Sequence, residues 1–303
     1  MEPIRSRAWY QTPGGQPRGY IRPHRLRELW FHTGTACNLS CPFCLEGSGP
    51  GDDRLEILKL ADIEPFLAEA RELGVEQLSF TGGEPFLAKD LIRILQAAGD
   101  IAPCLVLTNG TDALHARADQ LEALRATRHP VSFRVSIDYP QREAHDAGRG
   151  EGNFDKALEG LKLLHERGFH LSIARQMKPD EDRAAVEAQF AALLRARGLP
   201  ADLRLVAFPD FLPPGSSAEV PAVTTDCMTR YQTEESRRDF MCAFSKMVVK
   251  QHGRMRVYAC TLVDDDPEYD LGATLREAME QQVSMKHHRC FSCFRYGASC
   301  SEI

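Results

Sequence analysis

Hydrophobic positions along the middle of this chain switch between two periods. "ELWFHTG", Glu28 to Gly34, reads as a strand buried on both faces. "DIEPFLAEAREL" places Ile63, Phe66, Leu67, Ala70 and Leu73 on one helical stripe, which Gly74 ends. "EQLSFTGG" reads as a strand entering a glycine turn, "KDLIRILQAAG" as a helix, and "PCLVLTNG" as a strand ending in Asn-Gly. "TDALHARADQLEALRAT" predicts a helix and "VSFRVSID" a strand. "NFDKALEGLKLLHERG" predicts a helix opened by Asn153 and closed by Gly168. "HLSIARQ", "EDRAAVEAQFAALLRARG" and "ADLRLVAF" add a strand, a helix and a sixth strand.

Strand and helix thus alternate six times between about residues 28 and 208. The fold class is α/β, with a parallel sheet covered by helices. In such folds chemistry gathers at the carboxyl ends of the strands. Four unusual loops fall there: a cysteine cluster after strand one, "TGGEP" after strand two, "TNGT" after strand three and "SIDYP" after strand four.

The alternation stops near Pro209. "PDFLPPGSSAEVPAVTTD" reads as a linker or wrapping loop, and "KMVVKQHGRMRVYA" as a hairpin turning at His252-Gly253. "TLREAMEQQVSMKHH" reads as a short helix capped by Thr274, and the chain ends in "RCFSCFRYGASCSEI". The expected division is an N-terminal basic arm over 1–27, the alternating body over 28–210, and a linker with a cysteine-bearing module over 211–303.

Charge changes the picture little. The net charge is −6, which favours neither a nucleic acid nor an anionic membrane as partner. Arg5, Arg7, Arg18, Arg22, Arg25 and Arg27 make the first 27 residues locally basic. They read as a solvated, partly mobile arm, with an anion or substrate contact as the alternative. The N-terminus lacks the apolar core of a secretory signal, and no segment has the ~18 apolar residues of a membrane span. A cytoplasmic location is therefore expected. There, clustered cysteines point to metal or redox chemistry rather than structural disulfides.

"GTACNLSCPFCLEG" places Cys37, Cys41 and Cys44 within one short loop. Thiolates spaced C-x3-C-x2-C can converge on one metal centre, but a structural zinc wants four ligands. The next cysteine, Cys104, falls inside the third strand. A four-iron, four-sulfur cluster held by three cysteines keeps one iron open. Pro42 stiffens the loop, and Phe43 offers an aromatic face.

"CNLSCPFC" resembles the signature of the radical S-adenosylmethionine enzymes, and "TGGEP", Thr81 to Pro85, resembles their second motif. The resemblance runs from about 28 to 210 and includes "TNG" and "VSIDYP…HDAGRGEGNFDKALEGL". It implies a partial (β/α)6 TIM-like barrel. It also implies that Cys37, Cys41 and Cys44 hold three irons of a 4Fe-4S cluster whose fourth iron chelates S-adenosylmethionine. One electron would then split the cofactor into methionine and a 5′-deoxyadenosyl radical, which abstracts hydrogen from substrate. By the same carry-over, Gly82, Gly83 and Glu84 receive the methionine amino group, Thr81 belongs to the same cofactor-binding motif, and Ser136, Asp138 and Asn109 meet the ribose side. Phe43 faces a ring, and Arg175 meets the methionine carboxylate or a substrate. Each has a plainer alternative: Glu84 as a helix cap before Pro85, Asn109-Gly110 as a tight turn, Asp138 as a strand end.

Cys242 and Cys260 flank the predicted hairpin, and Cys290 and Cys293 form a C-x2-C after the helix. This hairpin-plus-helix module suits either one tetrahedral zinc or one four-iron cluster. It resembles the twitch module, the truncated form of the SPASM extension, with spacing similar to that of 2-deoxy-scyllo-inosamine dehydrogenase. That resemblance implies an auxiliary 4Fe-4S cluster ligated by all four. Cys300 is left spare or swaps in as a ligand. Cys227 and Cys104 read as small apolar residues, and His287 and His288 as solvated residues at the end of the preceding helix.

An auxiliary cluster without an open iron can accept an electron. The expected reaction is therefore two-electron oxidation of a small polyol or amino-sugar-like substrate. Arg175, Tyr139 and Asp210 are the candidates for the base, and a flavodoxin or ferredoxin is the expected electron donor. Three alternatives remain. A peptide-modifying maturase would form a thioether or carbon–carbon crosslink; the first 27 residues are short for the peptide-recognition domain such enzymes often carry. A radical carbon–carbon rearrangement is another. A non-catalytic protein with two zinc sites is the last.

Overall fold

The computed structural model describes residues 5–178, 181–208, 215–297 and 301. Along the chain lie α1 (Arg7–Tyr10), β1 (Tyr20–Ile21), β2 (Glu28–His32), α2 (Leu60–Leu73) and β3 (Gln77–Thr81). Then come α3 (Leu91–Gly99), β4 (Cys104–Thr108), α4 (Asp112–His115), β5 (Val131–Ser136), α5 (Arg142–Arg149) and α6 (Asn153–Glu166). They are followed by β6 (His170–Gln176), α7 (Arg183–Ala196), β7 (Arg204–Phe208), α8 (Thr225–Tyr231) and α9 (Met241–Phe244). β8 (Ser245–Gln251), β9 (Arg254–Tyr258), α10 (Leu275–Glu280), β10 (Val283–Ser284) and α11 (His288–Tyr296) complete the order. The chain forms two compact units. One draws on the spans Met1–Phe31, Glu64–Gln77 and Pro214–Ile303, the other on His32–Ile63 and Leu78–Pro213.

Whereas residues 28–31 of β2 and most of α2 fall in the first unit, the second holds five of the six strands of the predicted alternation. Its strands run parallel in the order β7-β6-β5-β4-β3. Phe80 pairs with Val106, Val106 with Phe133, and Phe133 with Leu171. The apolar positions of these strands pack under the helices, and Phe80, Val106, Phe133 and Val135 are fully buried. Thr33, just past β2, donates its amide and its hydroxyl to the Thr81 carbonyl, at 2.8 and 2.9 Å. Two elements differ from expectation. The helix expected over 111–127 is α4 followed by a 3-10 helix over Ala118–Ala126. There Leu121 and Leu124, three apart, are the buried pair, a spacing that a 3-10 helix superposes. α5 was not expected at all: among its eight residues only His145 is buried, so it shows no apolar stripe.

In the first unit β2 pairs in parallel with β8, and β8 with β9 as the expected hairpin. His252 and Gly253 both have positive φ, 52° and 71°, which the tight turn demands. Thr274 caps α10 in a capping box with Glu277. The helix stops at Glu280 because Val283 and Ser284 instead pair with Ile21 and Tyr20. Residues 5–21 are accordingly built into this unit rather than forming a solvated arm. Trp9 is buried, and the Ser284 hydroxyl donates to its carbonyl at 2.6 Å. Arg5 lies 4.3 Å over the Trp9 ring and donates to the Asp270 carbonyl. The apolar surface of Trp9 and Ile21 outweighs the solvation of the neighbouring arginines. Among the described residues no helix is long and apolar enough to cross a membrane.

Candidate active site

The loop after β2 closes on itself through its backbone. The Cys37 amide donates to the Gly49 carbonyl at 3.1 Å, and the Cys44 amide to the Cys41 carbonyl at 3.1 Å. The amides of Leu39 and Ser48 point at the sulfurs of Cys37 and Cys44, each at 3.4 Å. All three thiols are half-buried and line one cavity. Its other walls are the carboxyl ends of the strands: Thr81 to Gly83 at the end of β3, Leu107 to Asn109 at the end of β4, Ser136 and Asp138 at the end of β5, Ala174 to Gln176 on β6, and Phe208 on β7. Each of the four loops singled out in the sequence contributes residues to this cavity.

Burial pushes the Cys37 thiol up to about 11, and Glu84, Cys41 and Cys44 add to the rise. Burial raises Cys41 as well, against the pull of Arg149. Three thiols that repel one another's negative charge, with amides aimed at two of them, suit a cationic centre. Among the described residues no three cysteine sulfurs lie within 4.8 Å of one another. A lone tetrahedral zinc, with Zn–S about 2.3 Å, would hold them about 3.8 Å apart. The donor set fits the larger iron–sulfur cluster.

The glycine pair is required by this loop. The Gly83 amide donates to the Gly34 carbonyl at 2.8 Å, and the Glu84 amide to the Ala36 carbonyl at 3.0 Å. A Cβ at Gly83 would stand 2.2 Å from the Ala36 carbonyl oxygen. Gly82 has a φ of 151°, and a Cβ there would stand 2.6 Å from the Thr33 hydroxyl. The Glu84 carboxylate accepts from Phe86 N–H at 3.1 Å, the Thr108 hydroxyl at 2.8 Å and Asn109 N–H at 2.8 Å. It both caps the turn at Pro85 and ties the β3 loop to the β4 loop. Burial, opposed by those three donors, pushes it up to about 7. Asn109 is more than a turn residue. Its carboxamide donates to Asn38 at 2.9 Å, accepts from the Thr111 amide and hydroxyl, and reaches within 3.9 Å of the Cys37 sulfur.

Asp138 is held by Arg149, which donates to both carboxylate oxygens at 2.5 and 3.1 Å. The Asp138 amide donates to His145 Nδ1 at 3.2 Å, so α5 is fastened to the end of β5 at two points. The Arg149 guanidinium lies 5.6 Å from the Phe43 ring and acts electrostatically on Cys41 and Cys44. Gly148 makes room for that ring: a Cβ there would stand 2.3 Å from it. Arg149 was not singled out in the sequence; its only local signal is an arginine flanked by glycines in "AGRGEG". Arg175 lines the cavity but is paired to Glu181 at 2.6 and 3.0 Å, which holds that carboxyl below its usual range. Tyr139 donates its hydroxyl to the Gln176 side chain at 2.9 Å, with Lys178 over its ring at 4.5 Å. Asp210 and Cys300 lie outside the described residues.

In the first unit Cys242 sits on α9, Cys260 follows β9, and Cys290 and Cys293 stand one turn apart on α11. Burial raises all four thiols, and Cys260 feels the other three. The amides of Leu262 and Met241 bond to Cys260 and Cys293. The Tyr269 hydroxyl lies 3.7 Å from the Cys290 sulfur. Lys246 on β8 is fully buried beside them, and burial pushes it down to about 8. Cys104 is buried inside β4, and Cys227 meets the Thr224 hydroxyl at 3.2 Å. His287 is not a solvated end of α10. It caps the start of α11, accepting from Arg289 N–H, and faces Asp265 at 3.4 Å.

A barrel-type parallel sheet with a three-cysteine loop at its strand ends defines the class, and the comparisons agree. The chain belongs to the radical SAM superfamily, whose model, Radical SAM superfamily, matches residues 31–187. It is 30% identical over 167 residues to mycofactocin maturase MftC of Mycolicibacterium smegmatis, covering 53% of this chain and 41% of that protein. It is 33% identical over 143 residues to the antilisterial bacteriocin subtilosin biosynthesis protein AlbA of Bacillus subtilis, covering 46% and 30%. It is 32% identical over 149 residues to a GTP 3',8-cyclase of Shewanella denitrificans, covering 48% and 42%. The matches thus span less than half the length of these relatives. Among solved structures, Streptococcus suis SuiB superposes with a TM-score of 0.62 at 14% identity, covering 85% of this chain and 66% of that one. Native anSMEcpe with bound AdoMet gives 0.60 at 15%, covering 86% and 82%. These structures share the partial TIM-barrel-like α/β fold. Membership in the family implies a 4Fe-4S cluster and S-adenosylmethionine.

Proposed function

We propose that this chain is a radical S-adenosylmethionine enzyme that modifies a peptide. The observation that carries the enzymatic reading is the cavity shared by Cys37, Cys41, Cys44 and five strand ends. Those cysteines would hold the cluster. When bound, cluster and cofactor supply hydrogen-atom abstraction by a 5′-deoxyadenosyl radical. The chain's own residues bind and orient. Thr81, Gly82 and Gly83 form the wall that meets the methionine end, and Ser136 offers a hydroxyl to the ribose. Phe43 lines the cavity, with its ring set against Gly148 and Arg149. Glu84 and Asp138 act one step back, the first by tying two loops and the second by holding Arg149. Cys242, Cys260, Cys290 and Cys293 would hold an auxiliary four-iron cluster, supported by their mutual proximity and their spacing beyond that of a lone zinc.

The peptide substrate is supported by a maturase and a bacteriocin biosynthesis protein among the relatives. A neighbour solved with a precursor peptide, SuiB with SuiA, adds to it. Oxidation of a small polyol or amino sugar, expected from the C-terminal module alone, draws no support from these relatives. The test is anaerobic reconstitution, reduction by dithionite or a flavodoxin, and assay for 5′-deoxyadenosine. The wild type should carry roughly eight irons per chain and form it; a Cys37→Ala, Cys41→Ala, Cys44→Ala triple variant should form none. Two zincs in place of iron, or full iron without 5′-deoxyadenosine, would reject the enzyme. Short peptides encoded beside the gene should raise the yield and change mass. A rise with polyols or GTP, and none with those peptides, would reject the peptide substrate.

A further inference from the structure

The buried lysine of β8 has no anion of its own among the described residues. Lys246 is 0% exposed, and its ammonium donates to two neutral acceptors, the Cys242 carbonyl at 2.7 Å and the Ser245 carbonyl at 3.0 Å. An ammonium taken out of water is costly unless a negative charge lies beside it. The groups that act on it in that sense are the sulfurs of Cys242 and Cys260. At the same register β8 faces Leu29 of β2, a place where an apolar side chain would serve packing better.

We propose that Lys246 is the built-in counter-charge of a cluster held by Cys242, Cys260, Cys290 and Cys293, and that it raises that cluster's reduction potential. This rests on the auxiliary-cluster reading above. A cluster with four thiolates is anionic and gains one more negative charge on reduction, so a fixed cation stabilises the reduced form more. The amides directed at Cys260 and Cys293 act in the same sense as partial charges, and Lys246 adds a full one. Lys246 is therefore a positioning and tuning residue, not a catalytic one.

The experiment uses the full chain carrying the Cys37→Ala, Cys41→Ala, Cys44→Ala changes, so that one cluster is titrated alone. Its iron content and the midpoint potential of its electron-paramagnetic signal are read. Lys246→Met removes the charge. Lys246→Gln removes the charge but keeps donors for the two carbonyls, and Lys246→Arg keeps the charge. Met and Gln should each shift the reduction equilibrium at least tenfold against the reduced form, about 59 mV lower for one electron, while Arg stays near the parent. An unchanged midpoint in Met or Gln, with iron retained, overturns the assignment. Should Met and Gln both lose iron while Arg keeps it, charge is again what separates them and the assignment stands. Should Arg lose it too, the lysine serves shape alone and the assignment falls. A parent triple variant that holds zinc, or no iron, removes the auxiliary-cluster reading itself before Lys246 is changed, and the assignment with it.

Discussion

Glu84 gathers three donors on one carboxylate that is 2% exposed, and burial still wins, pushing it up to about 7 from 4.5. The sign of the consequence follows. Between pH 4.5 and about 7 the folded chain keeps a proton that the unfolded chain has lost. Stability is therefore full below pH 4.5, falls as pH rises through that window, and levels off above it. The drop is of order 3 kcal/mol. Glu84→Gln cannot ionise and should lack it, at the constant cost of turning an amide N–H toward other donors. Urea unfolding of the metal-free protein at pH 4.5 and pH 8 gives the comparison. A wild-type-minus-variant difference that is the same at both would show that burial does not control this carboxyl. At this scale the sequence discloses which residue types gather, but not whom they face. Glu84 and Asp138 were legible as candidates, yet both carboxylates are taken up by this chain's own donors. Arg149 and Lys246 were missed because a cation's importance here comes from burial, which no sequence pattern marks, and for Arg149 also from thiols distant in sequence.

At the scale of elements, the contact between the Gly82-Gly83 turn and the cysteine loop is where a single methyl group matters most. Gly83→Ala would drive a Cβ to within 2.2 Å of the Ala36 carbonyl oxygen, which is backbone and cannot swing aside. The cysteine loop must move, at a cost of about 1–3 kcal/mol, and the iron bound there should fall. Gly49→Ala is the matched control, since it lies in the same loop with nothing within 4 Å of the added carbon. Equal iron content and equal urea midpoints for the two variants would show that the turn does not brace the loop. The elements themselves were largely readable. β2 to β7, α2, α3, α6, α7 and the β8–β9 hairpin follow from apolar period and from turn glycines. α5 was not, because its stability comes from tertiary ties rather than a stripe: His145 to the Asp138 amide, Arg149 to Asp138, and Asp146 to the amides of Gly152 and Phe154. β10 was absorbed into a helix because two strand residues carry no period of their own.

Across the whole molecule, the sequence reads as consecutive blocks, whereas the unit that holds the four-cysteine group is assembled from three separate spans. Pairing between segments far apart in sequence is invisible to a periodicity argument, which explains why the first 27 residues read as an arm. Within that unit, Glu28, Leu29, Trp30 and Phe31 of β2 pair in register with Ser245, Lys246, Met247 and Val248 of β8. Glu69 accepts from the Leu275 amide at 2.6 Å, and Trp9 is sealed in part by Tyr269, with ring centroids 5.0 Å apart. A fragment ending at residue 213 would retain β2, Trp9 and Ile21 but lose the strands and rings that cover them. It would expose Leu29, Trp30 and Phe31, all nearly fully buried in the intact chain, along an unpaired strand edge. The expected outcome is a fragment that aggregates, or that unfolds without a cooperative transition, even though all three cysteines of the first loop and every wall of its cavity remain. Circular dichroism melts and sedimentation of the 1–213 fragment beside the full chain decide the matter. A monomeric fragment with a sharp transition and full iron at Cys37, Cys41 and Cys44 would show that the barrel body stands alone, as the division into consecutive blocks supposes.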